Sequence, residues 1–244
     1  MTAVRLSLVI PAFNEQALLP RLLRTVEAAR DRYTHGRDAI EVIVADNCST
    51  DDTAEIAERM GCRVVRVETR NIGAVRNGGA REARGELLCF VDADGQVHPD
   101  VFNAVDDALS SGKYSVGATG VNLERWSLGI AASWMLLVPM VLVTGIDTGL
   151  VFCRRVDFEA VHGYDERRAA GEDVFFHAAL MRLGKPRGQR AARLTRVKGI
   201  ASTRKFDQHG DWHYFRVLRD VPGLLLDPTH RSDWLMKYWY PDRR

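Results

Sequence analysis

The chain of 244 residues is 46% hydrophobic and 27% charged, with 34 Lys and Arg against 32 Asp and Glu and a net charge of +2. This is the composition of a globular protein with a sizeable core, and charges so evenly mixed leave no basic face for nucleic acid. Cys48, Cys62, Cys89 and Cys153 are far apart, with no C-x-x-C pair and no secretory leader, which argues against a zinc site or a disulfide framework and for reduced thiols in a cytoplasmic protein.

In chain order, RLSLVIPAF reads as a buried strand, and EQALLPRLLRTVEAAR follows with Leu18, Leu19, Leu22, Leu23 and Val26 at helical spacing. EVIVAD is a second strand, leading into NCSTDDTAEIAERMG, where Ser49, Thr50 and Asp51 supply capping groups and Gly61 ends the helix. RVVRVE is a third strand. GAVRNGGAREARG reads as a loop entering a helix closed by Gly85, and ELLCFVDAD is the fourth strand. Strands alternating with helices predict a mostly parallel central sheet with helices on both faces, an α/β class in which ligands bind beyond the carboxyl ends of the strands. The polar segments PAFNE, DNCSTD and DADG all fall at those ends. Further on come a helix in PDVFNAVDDALSSG, the segment KYSVGATGV, strands in GLVFCRR and AARLTRV, a helix in GEDVFFHAALMRLG, and an aromatic tail.

The apolar run Leu87, Leu88, Cys89, Phe90 and Val91 ends on two aspartates, Asp92 and Asp94. A carboxylate leaving a buried strand must stay hydrated or find a cation. If the strand continues through them, alternation puts both on one side, a donor pair suited to Mg²⁺ with substrate phosphates completing the shell. The alternative is an acidic turn after a strand. No G-x-x-x-x-G-K-[ST] is present, and Gly73, Gly78 and Gly79 do not form a G-x-G-x-x-G after the first strand, so P-loop and dinucleotide sites are excluded.

SLVIPAFNE, VIVADNCSTDDT, NIGAVRNGGAREARGELLCFVDADG and GEDVFFHAALMRLG occur in the order and spacing of family 2 glycosyltransferases, which the chain resembles over roughly residues 5 to 205. The resemblance implies a GT-A fold (nucleotide-diphospho-sugar transferase), as a single domain over 1–244. Within it, 1–98 would form the nucleotide-binding half, 99–210 the acceptor side, and 211–244 an aromatic extension. It implies an inverting transferase using a nucleotide-diphosphate sugar, most often a UDP-sugar, with a divalent metal (Mn or Mg) and a saccharide or lipid-linked acceptor. Carried over by position, Pro11, Ala12, Phe13 and Glu15 would line the base and ribose, with Asp46 on the uracil edge and Arg76 near the diphosphate. Asp92, Ala93 and Asp94 would form the metal-bearing turn, Asp92 contacting ribose or metal and Asp94 holding the ion. Of the Glu172–Asp173 pair opening a helix, Asp173 would be the general base, kept ionised by the helix dipole.

Other features carry less. His209 and His213 are candidate third metal ligands or plain structural groups, and Arg204 in ASTRKF meets phosphate or belongs to a solvated basic loop. The 21 residues Trp126–Ile146 contain no charge. A bilayer crossing there would separate Asp94 from Asp173, so the expectation is a buried or subunit-interface helix, a homodimer contact, or a peripheral membrane contact at the inner face. The Q-x-x-R-W motif of processive synthases is missing, which favours single addition. The competing readings are a nucleotidyltransferase of related fold, disfavoured by PAFNE where a glycine-rich signature belongs, and a non-catalytic sugar-nucleotide-binding protein.

Overall fold

The computed structural model describes residues 3–135, 149–168, 171–213 and 215. Four parallel-paired strands open the chain: β1 (Leu6–Ala12), β2 (Ile40–Asp46), β3 (Arg63–Arg66) and β4 (Leu87–Phe90). After these come β5 (Tyr114–Ala118), β6 (Val121–Leu123), β7 (Val151–Arg154), β8 (Arg190–Arg193) and β9 (Gly199–Ala201). The main sheet has the order β3-β2-β1-β4-β7-β5-β8, with β7 antiparallel to both neighbours; β6 and β9 form a separate parallel pair. The helices are α1 (Leu19–Asp31), α2 (Thr53–Arg59), α3 (Ile72–Arg81), α4 (Val101–Ser110), α5 (128–135), α6 (Arg155–Ala160), α7 (Glu172–Gly184) and α8 (Arg204–His209).

Alternation along the strands builds a core on each face. Leu6, Leu8 and Ile10 of β1, with Leu87 and Cys89 of β4, pack against Leu19, Leu22, Leu23 and Val26 of α1 and Phe102 and Val105 of α4. Val9, Leu88 and Phe90 point the other way, toward Val75 and Ala80 of α3, Phe158 of α6, and Phe176 and Leu180 of α7. Both faces are covered, so the strands read as unbroken apolar runs, each buried side chain contributing roughly 1.5–3 kcal/mol. The expected parallel sheet with helices on both faces is present. Its chain order reverses between β1 and β4, the position where such sheets open a crevice for ligands.

Two local expectations change. β4 ends at Phe90, so Asp92 and Asp94 belong to a turn, with the Gly95 N–H donating to the Asp92 carbonyl at 3.1 Å, and strand alternation does not govern them. The glycines of NIGAVRNGGAR lie inside α3 rather than in a loop before it. They let that helix lie close on the sheet: a Cβ on Gly79 would sit 2.5 Å from Cγ1 of Val9 and 3.2 Å from Cβ of Ala45. The β6–β9 pair was not anticipated. Residues 136–146 of the uncharged stretch and 216–244 of the aromatic tail lie outside the described residues.

At the amino-terminal end of β1, away from the crevice, Asp106 of α4 joins the start of β1 to the segment after α1. Arg5 donates to it at 2.8 and 3.3 Å, Ser110 at 2.8 Å, and Tyr33, beyond the end of α1, at 2.5 Å. Burial alone pushes its carboxyl up, but the bonds from Arg5, Tyr33 and Ser110 outweigh it and hold the carboxyl down at about 2, from an ordinary 3.8. A depressed folded-state value adds stability that is present above the unfolded value and lost as pH falls through the folded one. Thermal melts across pH should therefore show stability falling between about pH 4 and pH 2, and Asp106→Asn should melt lower at neutral pH and lose much of that acid dependence.

Candidate active site

The site is organised by α3. Asn71 caps the helix by accepting from the Ala74 N–H at 3.0 Å. Two residues on its inner face, Arg76 and Asn77, are only 5% and 3% exposed. Asn77 accepts from the Tyr164 N–H and donates to the Tyr164 carbonyl, both at 2.9 Å, which fixes the segment leading into α7. Arg76 then spans the crevice. Its Nη2 donates to Asp92 at 2.9 Å and its Nη1 to Glu172 at 2.8 Å, while Asp173 Oδ1 lies 3.0 Å from the same Nη1. The turn after β4 and the start of α7 are thus joined by one guanidinium.

Gly171, in the left-handed region at φ 73°, turns the chain into α7 so that Glu172 and Asp173 occupy the first turn, where the helix dipole favours negative charge. Desolvation nonetheless pushes the Asp173 carboxyl up to about 6; Arg76 pulls it down, while Glu172 and Asp92 add to the rise. Arg76 stays charged: burial opposes its ionisation, but Asp173, Asp92 and Glu172 outweigh that and raise its value.

A second arginine holds the other aspartate. Arg204 of α8 grips Glu15 with two bonds, at 2.8 and 3.0 Å, and its Nη2 lies 3.1 Å from Asp94 Oδ2. The Asp94 carbonyl also accepts from Arg21 at 2.9 Å. Asp94 is pushed up to about 6 by desolvation and by neighbouring Asp92, with Arg204 acting against both. Lys205 is drawn down to about 8 by burial, with Asp92 and Asp94 opposing. Arg204 as a partner of Glu15 and Asp94, and Lys205 beside it, were not anticipated in those roles. Only their position in a basic segment hinted at them.

The remaining candidates line the same rim. Pro11 and Ala12 close β1 opposite Ala45 and Asp46, and Phe13 follows, half-buried. Asp46 is buried and accepts from the Ser49 N–H at 3.2 Å; Ala93 is buried between the two aspartates. A cavity of about 140 Å³ opens beside Asp92 and Asp94, reaching Gln96, Thr119, Leu150 and Ile200.

The donor chemistry suits a divalent cation shared with a ligand. The side chains of Asp92 and Asp94 are 64% and 26% exposed at the rim, and two hard carboxylates with substrate phosphates make an ordinary Mg²⁺ or Mn²⁺ shell. Among the described residues no three His, Cys, Asp or Glu side chains gather into a complete protein-only site, so neither His209 nor His213 joins the two aspartates as a ready third ligand. His213 instead is buried, its Nδ1 3.0 Å from the Gly210 carbonyl.

Comparison with known proteins follows the same lines. Over 119 residues the chain is 40% identical to an undecaprenyl-phosphate 4-deoxy-4-formamido-L-arabinose transferase from Pseudomonas paraeruginosa, a match covering 46% of this chain and 34% of that protein. The chain therefore spans about a third of the length of this relative. In three dimensions it resembles S. aureus TarS in complex with UDP-GlcNAc, at 20% identity and a TM-score of 0.63, covering 82% of this chain and 58% of that one. It also resembles a mannosyltransferase from Pyrobaculum calidifontis in complex with GDP-Man and Mn²⁺, at 21% identity and a TM-score of 0.64, covering 80% and 56%. These likenesses show the GT-A fold. The pattern of Glycosyl transferase family 2 matches residues 7–132, more than half of the chain, and the protein belongs to that family.

Proposed function

We propose that this chain transfers a sugar from a nucleotide-diphosphate donor, a UDP-sugar, to a hydroxyl of a lipid-linked or polymeric acceptor by single displacement with inversion. The observation that carries the reading is the Arg76 bridge, which puts the aspartates after β4 and the carboxylates opening α7 at one crevice. Asp92 and Asp94 would hold the divalent ion, whose contribution when bound is to stabilise negative charge on the departing diphosphate. The segment Pro11 to Glu15 and Asp46 would receive the nucleoside. Asp173 accepts the proton of the acceptor hydroxyl as it attacks. Arg76 orients Asp173 and keeps a share of it ionised near neutrality. The relative's name points to a lipid carrier, and on the same reading an acceptor hydroxyl borne by such a carrier puts the protein in the cytoplasm at the inner face of a membrane. No helix among the described residues is long and apolar enough to cross one.

A base must be unprotonated to act. With Asp173 raised to about 6, kcat/KM should fall as pH drops through that value. Asp173→Asn should lose roughly 10²–10⁴-fold in kcat while binding UDP as before. A wild-type rate flat across pH 5 to 7 would mean an acceptor already ionised, and would sink the base role.

Arg204 and a divalent ion compete for Asp94, so the two should be thermodynamically antagonistic. Arg204→Gln is expected to tighten binding of Mn²⁺ alone, followed by calorimetry without nucleotide, whereas Asp94→Asn should weaken it and remove the stabilisation that UDP with Mn²⁺ gives in thermal melts. Equal Mn²⁺ affinity in wild type and both variants would remove the ion from this turn.

A further inference from the structure

One face of α5 packs inward. Ile130 and Ser133 are buried, and a Cβ on Gly129 would sit 2.8 Å from the carbonyl oxygen of Asp211. Ser127 caps the helix, its Oγ accepting from the Ile130 N–H at 3.2 Å. The opposite face is apolar as well. Leu128, Ala131, Ala132 and Met135 fall at i, i+3, i+4 and i+7, with Leu128 85% and Met135 73% exposed. Trp126, 57% exposed, meets Trp134 edge to face with centroids 6.1 Å apart. Through the contact of Gly129 with Asp211, α5 touches the segment carrying exposed Trp212 and Phe215, whose rings are 5.5 Å apart. Three of the five tryptophans of the chain therefore stand on two touching segments.

A helix whose described turns carry apolar stripes on opposite faces, one of them in water, calls for a partner. The charges at its border are already matched: Arg125 donates to Asp207 at 2.6 Å and to Asp211 at 2.7 Å. A protein partner is held in register by directional bonds, about one per 100–200 Å² of interface, and the outer stripe offers no polar side chain to make them. A lipid surface needs only apolar insertion and indole rings at headgroup level. The chain leaves β5 at Ala118 and is back beside it at Leu150, whose N–H donates to Thr119 Oγ1 at 3.2 Å, so the segment that carries α5 is anchored at one place on the sheet. Arg125 further ties this face to α8, whose Arg204 reaches Asp94.

We propose that the outer face of α5, with Trp126, Trp212 and Phe215, docks in the headgroup layer of a phospholipid bilayer and holds the catalytic rim beside a lipid-linked acceptor. The inference rests on the lipid-linked reading of the acceptor given above. It is tested by sedimenting the 244-residue chain with phosphatidylcholine vesicles and with vesicles containing phosphatidylglycerol. Tryptophan emission is followed in parallel, and transfer to a water-soluble, short-chain acceptor is measured on the same preparations. Wild type should bind vesicles with a blue shift. The double variant Leu128→Ser, Met135→Ser should bind at least about tenfold more weakly, since each change removes a large apolar side chain from the lipid contact, with unchanged melting temperature and unchanged transfer to the soluble acceptor. Trp212→Ser gives an independent second reading. Vesicle binding that is absent, or untouched by these variants, overturns the proposal. So does a concentration-dependent dimer in sedimentation velocity that the double variant abolishes, because a second copy then covers the stripe. Soluble-acceptor transfer without vesicle binding defeats this inference and leaves the glycosyl-transfer reading standing; vesicle binding without transfer to any acceptor does the reverse.

Discussion

Three carboxylates from two distant parts of the chain share the guanidinium of Arg76, and that guanidinium is almost wholly out of water. Taking a cation from water costs several kcal/mol, and only well-placed counter-charges offset it. Here the counter-charges are Asp92, Glu172 and Asp173. The arrangement binds the turn after β4 to the start of α7, which nothing in the parallel part of the sheet would do. Its precision rests on α3, pressed against β1 and β2 at Gly79 and locked to the segment before α7 by Asn77.

The rim is neutralised from within before any ligand arrives. Arg76 covers Asp92, Glu172 and Asp173, and Arg204 covers Glu15 and Asp94. On the proposed reading, a diphosphate with its counter-ion would meet no empty acidic well but would exchange partners with two arginines. Such an exchange keeps buried charge balanced at each stage, which limits the desolvation penalty that an uncompensated acidic cluster would carry.

Much of the fold was legible because its physical signals are local. Apolar runs such as LSLVIPA and EVIVAD, and the helical spacing of Leu19, Leu22, Leu23 and Val26, need no tertiary information. The α3 glycines misled because a glycine that permits a turn and one that permits close approach look alike in sequence, and only the position of Val9 distinguishes them. The short pair β6–β9 left no trace, since three-residue strands have no period to read. At the site, the acidic turn and the Glu172–Asp173 pair stood out by residue type. That one arginine would hold both is a long-range contact between positions 16 and 96 residues apart, invisible to any window along the chain.

The bond between Thr119 and Leu150, and Gly149 at φ 105° packed against the Gly120 carbonyl, close the gap between β5 and β7 on their own. Strand register there follows the antiparallel pairing of Val116 with Cys153 and Ala118 with Val151. Closure entropy rises only by about 0.6 kcal/mol for each doubling of loop length, so the number of residues between these two anchors weighs little on the sheet itself. The cost of altering that stretch falls elsewhere, on the β6–β9 pair and on the tie from Arg125 to α8, so what lies beside the rim constrains it more than the strands do.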